Sequence, residues 1–201
     1  MYLLFDDLAR LIAEAALMSD LAMDERDALA ETVEGWHARL SDYGVEAFSV
    51  AIRSLHEGWD DPLLQAVLKG KARKWPPADR ADHTEHMLNS VRLRVLEACE
   101  RFDEYLNFSH ACDARPERAA MLAKLGSLDE ADAFARKTFK TAAEAHHLAK
   151  TLRTLAKDDN ALSIAKFGLA LAERRTNGKK TTALNEVDLD FSAGRTELAR
   201  W

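Results

Sequence analysis

Apolar residues recur along the chain at intervals of three and four, which is the spacing of one face of an α-helix. Leu4, Leu8, Leu11, Ile12 and Ala15 mark one face of a first helix in this way. Later stretches are separated by breaks rich in polar residues and glycine. The pattern predicts hairpin cores that include Leu29, Val33, Trp36, Phe48, Ile52, Leu125, Phe134, Leu152 and Ile164.

A ten-residue frame occurs more than once beyond position 82. Its copies are Leu96-x-x-Cys99-x-x-Phe102-Asp103-Glu104-Tyr105, Leu122-x-x-Leu125-x-x-Leu128-Asp129-Glu130-Ala131 and Leu152-x-x-Leu155-x-x-Asp158-Asp159-Asn160-Ala161. Each copy reads as a helix end, a tight turn and the acidic first turn of the next helix. One hairpin cannot bury its own apolar stripe, whereas stacked hairpins can. The sequence therefore predicts an all-α fold, an irregular helical-hairpin repeat of the tetratricopeptide-like α-solenoid type, in preference to a compact bundle.

Breaks in this pattern predict five segments. Residues 1–70 form an N-terminal acidic helical segment, residues 71–81 a loop, and residues 82–172 the helical-hairpin repeats. Residues 173–194 are predicted to be a basic polar loop or linker, and residues 195–201 the start of a truncated helix. The loop at 71–81 is the expected seam between two halves.

Composition and charge narrow the class of protein. No window is long and apolar enough to span a bilayer, so no membrane segment is expected. Cys99 and Cys112 stand outside any CxxC motif, and we predict buried thiols in a reducing, cytoplasmic compartment. The first 62 residues hold fourteen Asp or Glu and four Arg, a net charge of −10, against −6 for the whole chain. Such an acidic segment argues against wrapping by nucleic acid at that end.

Two groups of short segments carry a family resemblance. The first is Ser41-Asp42-Tyr43-Gly44, Phe48, Ala51-Ile52, Gly58-Trp59-Asp60-Asp61-Pro62-Leu63 and Val67-Leu68. The second is Leu125-Gly126-x-Leu128-Asp129-Glu130-Ala131, Ala161-Leu162-x-Ile164-Ala165, Gly168-Leu169-Ala170-Leu171 and Glu197-Leu198-Ala199-Arg200-Trp201. Together they resemble the helical region C-terminal to the zinc finger in bacterial SWIM zinc-finger proteins. For residues 25–201 the resemblance implies a helical repeat of undefined partner.

The chain departs from that family at the finger itself. A SWIM finger needs a CxC pair and a later CxH, and this sequence contains neither. The resemblance thus implies a zinc-binding module upstream of these helices, removed or lost. No ligand residue can be carried over, and no cofactor is expected.

Two clusters of residues have functional alternatives. His83 and His86, with Asp82 and Glu85 beside them, have a spacing that could chelate a divalent ion, but solvated residues at a helix start are favoured. The basic and aromatic cluster of Lys69, Lys71, Arg73, Lys74 and Trp75 could hold a phosphate backbone or stack a base. A solvated loop anchored by one tryptophan is favoured there.

These features favour a non-enzymatic scaffold that binds a protein partner in a groove between stacked hairpins. The alternatives are a nucleic-acid-associated accessory domain and, less favoured, a small metal-dependent enzyme.

Overall fold

The structure is a computed structural model that describes residues 2–43 and 47–178. These residues are all-α, with no strand among them, as the sequence predicts. Ten α-helices follow one another: α1 (Tyr2–Met18), α2 (Met23–Ser41), α3 (Ser49–Glu57), α4 (Pro62–Leu68), α5 (His83–Ala98), α6 (Phe102–Ala111), α7 (Arg115–Lys124), α8 (Leu128–Thr138), α9 (Ala142–Thr154) and α10 (Asp158–Gly178). A 3₁₀ turn at Ala78–Arg80 lies between α4 and α5.

Side-chain caps determine where several helices begin. Asp61 accepts hydrogen bonds from the backbone N–H groups of Leu63 and Leu64, at 2.7 and 3.0 Å, and Pro62 fills the first position of α4. Asp82 caps α5 in the same way, accepting from the N–H of Glu85 at 2.7 Å. Helix α4 therefore begins at Pro62, where the aspartate cap and the proline fix its first turn.

The chain divides into two compact units, residues 1–112 and 113–201. In the first unit, α1 packs against α3 and α5, and α2 packs against α3. The 71–81 loop lies inside this unit and not at its boundary. It is held there because the N–H of Trp75 donates to the carbonyl of Ala111 in α6, at 2.9 Å.

In the second unit, α7 packs against α8 and α9, and α10 packs mainly against α9. Alanines dominate the buried faces, among them Ala119, Ala135, Ala145 and Ala149, which allow the helices to approach closely. Helix α10 runs on to Gly178, so the first residues of the predicted 173–194 linker are helical. The rest of that linker and the predicted 195–201 helix lie outside the described residues.

The three copies of the ten-residue frame form the same hydrogen-bonded turn. The N–H groups of Arg101, Ser127 and Lys157 each donate to the carbonyl five residues back, on Leu96, Leu122 and Leu152, at 2.9 Å in every case. The residue before each donor has a positive φ: 56° at Glu100, 86° at Gly126 and 55° at Ala156. These are the features of the Schellman helix ending. The frame found in the sequence is therefore a repeated backbone structure.

Some predicted core residues are exposed. Trp36 is 40 % exposed and Leu125 is 42 % exposed, while Leu29, Ile52 and Phe134 are half-buried. Leu125 is exposed because it is the C-cap of α7, where the chain turns away from the helix. Cys99 is the C-cap of α5 and is exposed, and Cys112 is half-buried, so the prediction of two buried thiols is wrong.

Candidate functional site

Helix α1 carries a straight apolar stripe on its exposed side, which we call the α1 stripe. It consists of Leu4, Leu8, Leu11 and Met18, which are 68, 41, 61 and 55 % exposed, together with the exposed Ala15. The intervals between these residues alternate four and three, which is the heptad spacing of a coiled-coil seam. At 1.5 Å of rise per residue the stripe is about 21 Å long.

The other face of α1 is also apolar, and it forms part of the core of the first unit. Ala9 and Ala13 are fully buried, and Phe5 packs edge-on against Phe48 with ring centroids 6.3 Å apart. Only Asp6, Asp7, Arg10 and Glu14 are charged among the seventeen residues of the helix. A helix that is apolar nearly all round is normally covered on more than one side. Within residues 2–43 and 47–178, the structure shows a cover on the core side only.

Two carboxylates border the α1 stripe on one flank. Asp7 and Glu14 are seven residues apart and occupy equivalent positions of successive heptads. Asp7 forms an ion pair with Arg10 on the same helix, and its side chain is 61 % exposed. Glu14 forms an ion pair with Arg94 of α5, with 2.9 Å between Oε1 and Nη1. These two carboxylates are the acidic edge of the stripe: Asp7 is held in a weak surface pair, whereas the Glu14 side chain is only 18 % exposed and its pair with Arg94 joins α1 to α5.

A buried network of charged residues lies elsewhere in the first unit, between α3, α5 and the 71–81 loop. Arg92 is fully buried, and its Nη1 donates to Oε1 of Glu85 at 2.8 Å. Its Nη2 lies 3.4 Å from Oε2 of Glu57 in α3. The indole N–H of Trp75 donates to Glu85 at 2.9 Å and to Asn89 at 3.0 Å. Burial lowers the pKa of Arg92, while the carboxylates of Glu85 and Glu57 act in the opposite direction.

Further ion pairs extend this network to the surface. Arg53 donates to Glu57 at 2.9 Å and to Asp82 at 2.9 Å, so it joins α3 to the start of α5. Burial would raise the pKa of Asp61, but the Arg80 guanidinium and two backbone N–H groups outweigh it and lower that pKa below its ordinary 3.8. The pKa of Asp82 is lowered chiefly by the N–H of Glu85 and also by Arg53.

The buried network has a structural role, because it ties α3, α4, α5 and the loop together. Two of its atoms, Oε2 of Glu85 and Nε of Arg92, are buried without a hydrogen bond. Sequence reasoning missed it, although one signal was present: Glu85 and Arg92 stand seven residues apart on the same face as Leu88 and Val95. Burying a lone charge costs much free energy, so an acid and a base on one apolar helix face are expected to pair with each other.

The structure separates the predicted nucleic-acid cluster into two environments. Lys69, Lys71, Arg73 and Lys74 are exposed, as a basic surface requires. Trp75 is only 3 % exposed, and its N–H is already used by Glu85 and Asn89. Its burial contradicts the less favoured alternative, in which Trp75 stacks a base, and agrees with the favoured one, a loop anchored by one tryptophan. The tryptophan anchors the loop from inside, and Arg80 and Arg92 pack over its ring at 5.2 and 5.4 Å.

The candidate metal residues His83 and His86 are both exposed at the start of α5. The neighbouring Asp82 is engaged as a helix cap and as a partner of Arg53, and Glu85 belongs to the buried network. In the part of the chain that the structure describes, no three His, Cys, Asp or Glu side chains are grouped as metal ligands. No helix there is both long enough and apolar enough to cross a membrane.

Comparison of this sequence with protein-family models, with curated proteins and with solved structures gave no match. The α1 stripe and its acidic edge are the surface feature of the described residues that has a recognisable binding geometry.

Proposed function

We propose that this chain is a non-enzymatic helical scaffold that binds a partner protein through the α1 stripe. The observation that supports this proposal is the exposure of Leu4, Leu8, Leu11 and Met18 along one line of a helix whose opposite face is already buried. Fully burying a leucine side chain contributes about 1.5–3 kcal/mol relative to leaving it in water. Contiguous exposed apolar surface of this kind marks protein interaction sites.

The proposal includes a place in a larger family. The segments that resemble bacterial SWIM zinc-finger proteins, such as Gly58-Trp59-Asp60-Asp61-Pro62-Leu63, are the reason to propose an accessory region in a protein of that type. In this chain they form the turn between α3 and α4 and the cap of α4. The accessory region would recruit a protein partner, and a finger elsewhere would make other contacts.

A nucleic-acid-associated accessory domain is the second candidate function. One observation favours it: Lys69, Lys71, Arg73 and Lys74 are exposed, and the ion pairs seen among the described residues involve none of them. Phosphate contacts need such side chains on one surface. The scaffold is preferred because the aromatic member of the cluster is buried.

Site-specific photocrosslinking in the source cell tests the scaffold. A benzoylphenylalanine placed at Leu11 should give a light-dependent adduct of higher mass with a discrete protein. The same group at Lys150, an exposed residue of α9, is the matched control and should give none. Absence of adducts from Leu4, Leu8 and Leu11 alike, with the protein folded and expressed, would refute binding at this surface.

A further inference from the structure

We infer that the partner presents an amphipathic α-helix whose heptad apolar residues are flanked by Lys or Arg, and that this helix lies along the α1 stripe. The inference rests on the proposed function and adds the chemistry of the partner. It is drawn from the spacing of the stripe, its acidic edge and the charge of the surrounding segment.

The spacing of the stripe fits a helix better than an extended peptide. Leu4, Leu8, Leu11, Ala15 and Met18 alternate at four and three residues, and this alternation keeps one line of side chains facing a second helix over its whole length. An extended peptide normally binds by adding a strand to a sheet edge. The described residues contain helices and no strand, so they offer no such edge.

The border of the stripe favours a basic partner. Asp7 and Glu14 fall at the same position of consecutive heptads, beside the apolar seam, where flanking charges of a coiled coil select the partner. A facing helix with Lys or Arg beside the seam would meet the exposed carboxylate of Asp7. The Asp7–Arg10 pair lies at the surface, so it can be exchanged at little cost, whereas Glu14 stays paired with Arg94 of α5.

A second copy of this chain is a poorer occupant. Its own stripe would bring the same carboxylates and a segment of net charge −10 over the first 62 residues towards an equally acidic surface.

The test is a titration of the full chain with labelled three-heptad peptides. One peptide has leucine at the core positions and lysine at the flanking positions, and a second carries glutamate at the same flanking positions. The lysine peptide should bind at least tenfold more tightly than the glutamate peptide at low salt, and the gap should narrow as salt rises. Asp7→Lys should reduce this preference, since it reverses the exposed charge of the acidic edge.

Variants of the exposed leucines locate the binding. A Leu8→Gln, Leu11→Gln double variant should raise the Kd for the lysine peptide at least tenfold, whereas Leu162→Gln, at a leucine of α10 that is 45 % exposed, should leave it within twofold. Circular dichroism confirms that each variant is folded. Equal binding to the double variant, or equal binding of the two peptides, would overturn the inference.

Two further outcomes separate this inference from the function on which it rests. A dimer in sedimentation equilibrium that is lost in the Leu8→Gln, Leu11→Gln variant would make a second copy the occupant and overturn the inference. Adducts at Leu11 in cells without lysine-peptide binding would overturn the helix chemistry but leave the scaffold standing. If Leu11 gives no adduct in cells and the lysine peptide does not bind, both the scaffold function and the helical partner are rejected.

Discussion

Arg92 and Glu85 stand two turns apart on α5 and form an ion pair, 2.8 Å between Nη1 and Oε1, with both side chains withdrawn from solvent. A buried pair of this kind adds little net stability compared with apolar residues of the same volume. Loss of one partner is different, because it leaves an unpaired charge in a medium of low dielectric constant.

Replacing Arg92 by Leu should therefore lower the free energy of unfolding of the first unit by about 3–5 kcal/mol, since Glu85 would remain buried without its main partner. Arg10→Leu is the control: Arg10 lies in the same unit, its side chain is 42 % exposed and its partner Asp7 is 61 % exposed, so its loss should cost about 0–1 kcal/mol. Urea unfolding followed by tryptophan fluorescence measures both, because Trp36, Trp59 and Trp75 lie in this unit. Similar losses for the two variants would contradict the role given to Arg92.

Stability of the first unit should fall in acid through Asp61 and Asp82. Their folded-state pKa values lie below the ordinary 3.8, so each contributes stability that is present above pH 3.8 and is lost as the pH falls through the folded value. Asp82→Asn keeps a capping side chain but cannot titrate. The difference in urea midpoint between the original protein and this variant should be largest near pH 6 and should shrink below pH 4. A constant difference would show that the Asp82 charge is not involved.

Substitutions at two of the repeated turns should change stability in opposite directions. Gly126 has a φ of 86° with open space around its Cα, so Gly126→Ala should destabilise the second unit by about 1 kcal/mol for conformational reasons alone. Ala156→Gly should stabilise the same unit, by up to about 1 kcal/mol, because glycine relieves the positive φ.

Gly35→Ala in mid-α2, also in open space, should stabilise by about 1 kcal/mol through helix propensity. Thermal unfolding of the three variants measures the signs.

Phe48 and Trp36 are in contact, but they should contribute differently to the stability of the first unit. The rings meet edge-on with centroids 6.2 Å apart, but Phe48 is 1 % exposed and Trp36 is 40 % exposed. Phe48→Ala should cost about 3–5 kcal/mol, as for a fully buried aromatic residue, and Trp36→Ala clearly less. Chemical denaturation of the two variants compares them, and an equal or larger loss for Trp36→Ala would mean that α2 is more deeply packed than described.

Nucleic-acid binding by this chain should stay in the non-specific range of roughly 10⁻⁴ to 10⁻⁶ M at physiological salt. The four exposed cations of the 69–74 loop are few, and the first third of the chain is acidic. Fluorescence anisotropy with duplex and single-stranded DNA at two salt concentrations provides the measurement. Submicromolar affinity that falls with salt and is lost when Lys69, Lys71, Arg73 and Lys74 become Glu would favour the second candidate function.

The helices and the repeated turn could be predicted from sequence because both leave local signals. Proline, acidic caps and the Leu-x-x frame act within a few residues of one another. The covered side of α1 could not be predicted in this way. Leu4, Leu8 and Leu11 form as clear a stripe as Ala9, Ala13 and Leu17, and a helix that is apolar on both sides does not indicate which one its neighbours will cover.

The sequence favours Trp75 as the anchor of its loop, but it does not indicate which residues the indole contacts. In the sequence it follows four basic residues, which suggests a surface. Its partners, Glu85 and Asn89, are ten and fourteen residues away, and they come within reach only when the loop folds back on α5. Long-range polar pairing of this kind depends on tertiary structure that no spacing within the loop records.

The three equivalent turns also affect which amino-acid substitutions the chain can accept during evolution. Their bonds join main-chain atoms, and Glu100, Gly126 and Ala156 occupy the same left-handed position with three different side chains. The amino acids at these turns can therefore be substituted while the backbone geometry is kept. Similarity between the turns would then be lost from the sequence sooner than from the backbone. The segment between Leu122 and Leu152 begins and ends at the same turn, so a duplication or deletion of that length would leave matching ends. The hydrogen bonds at both ends of the segment would then still be formed.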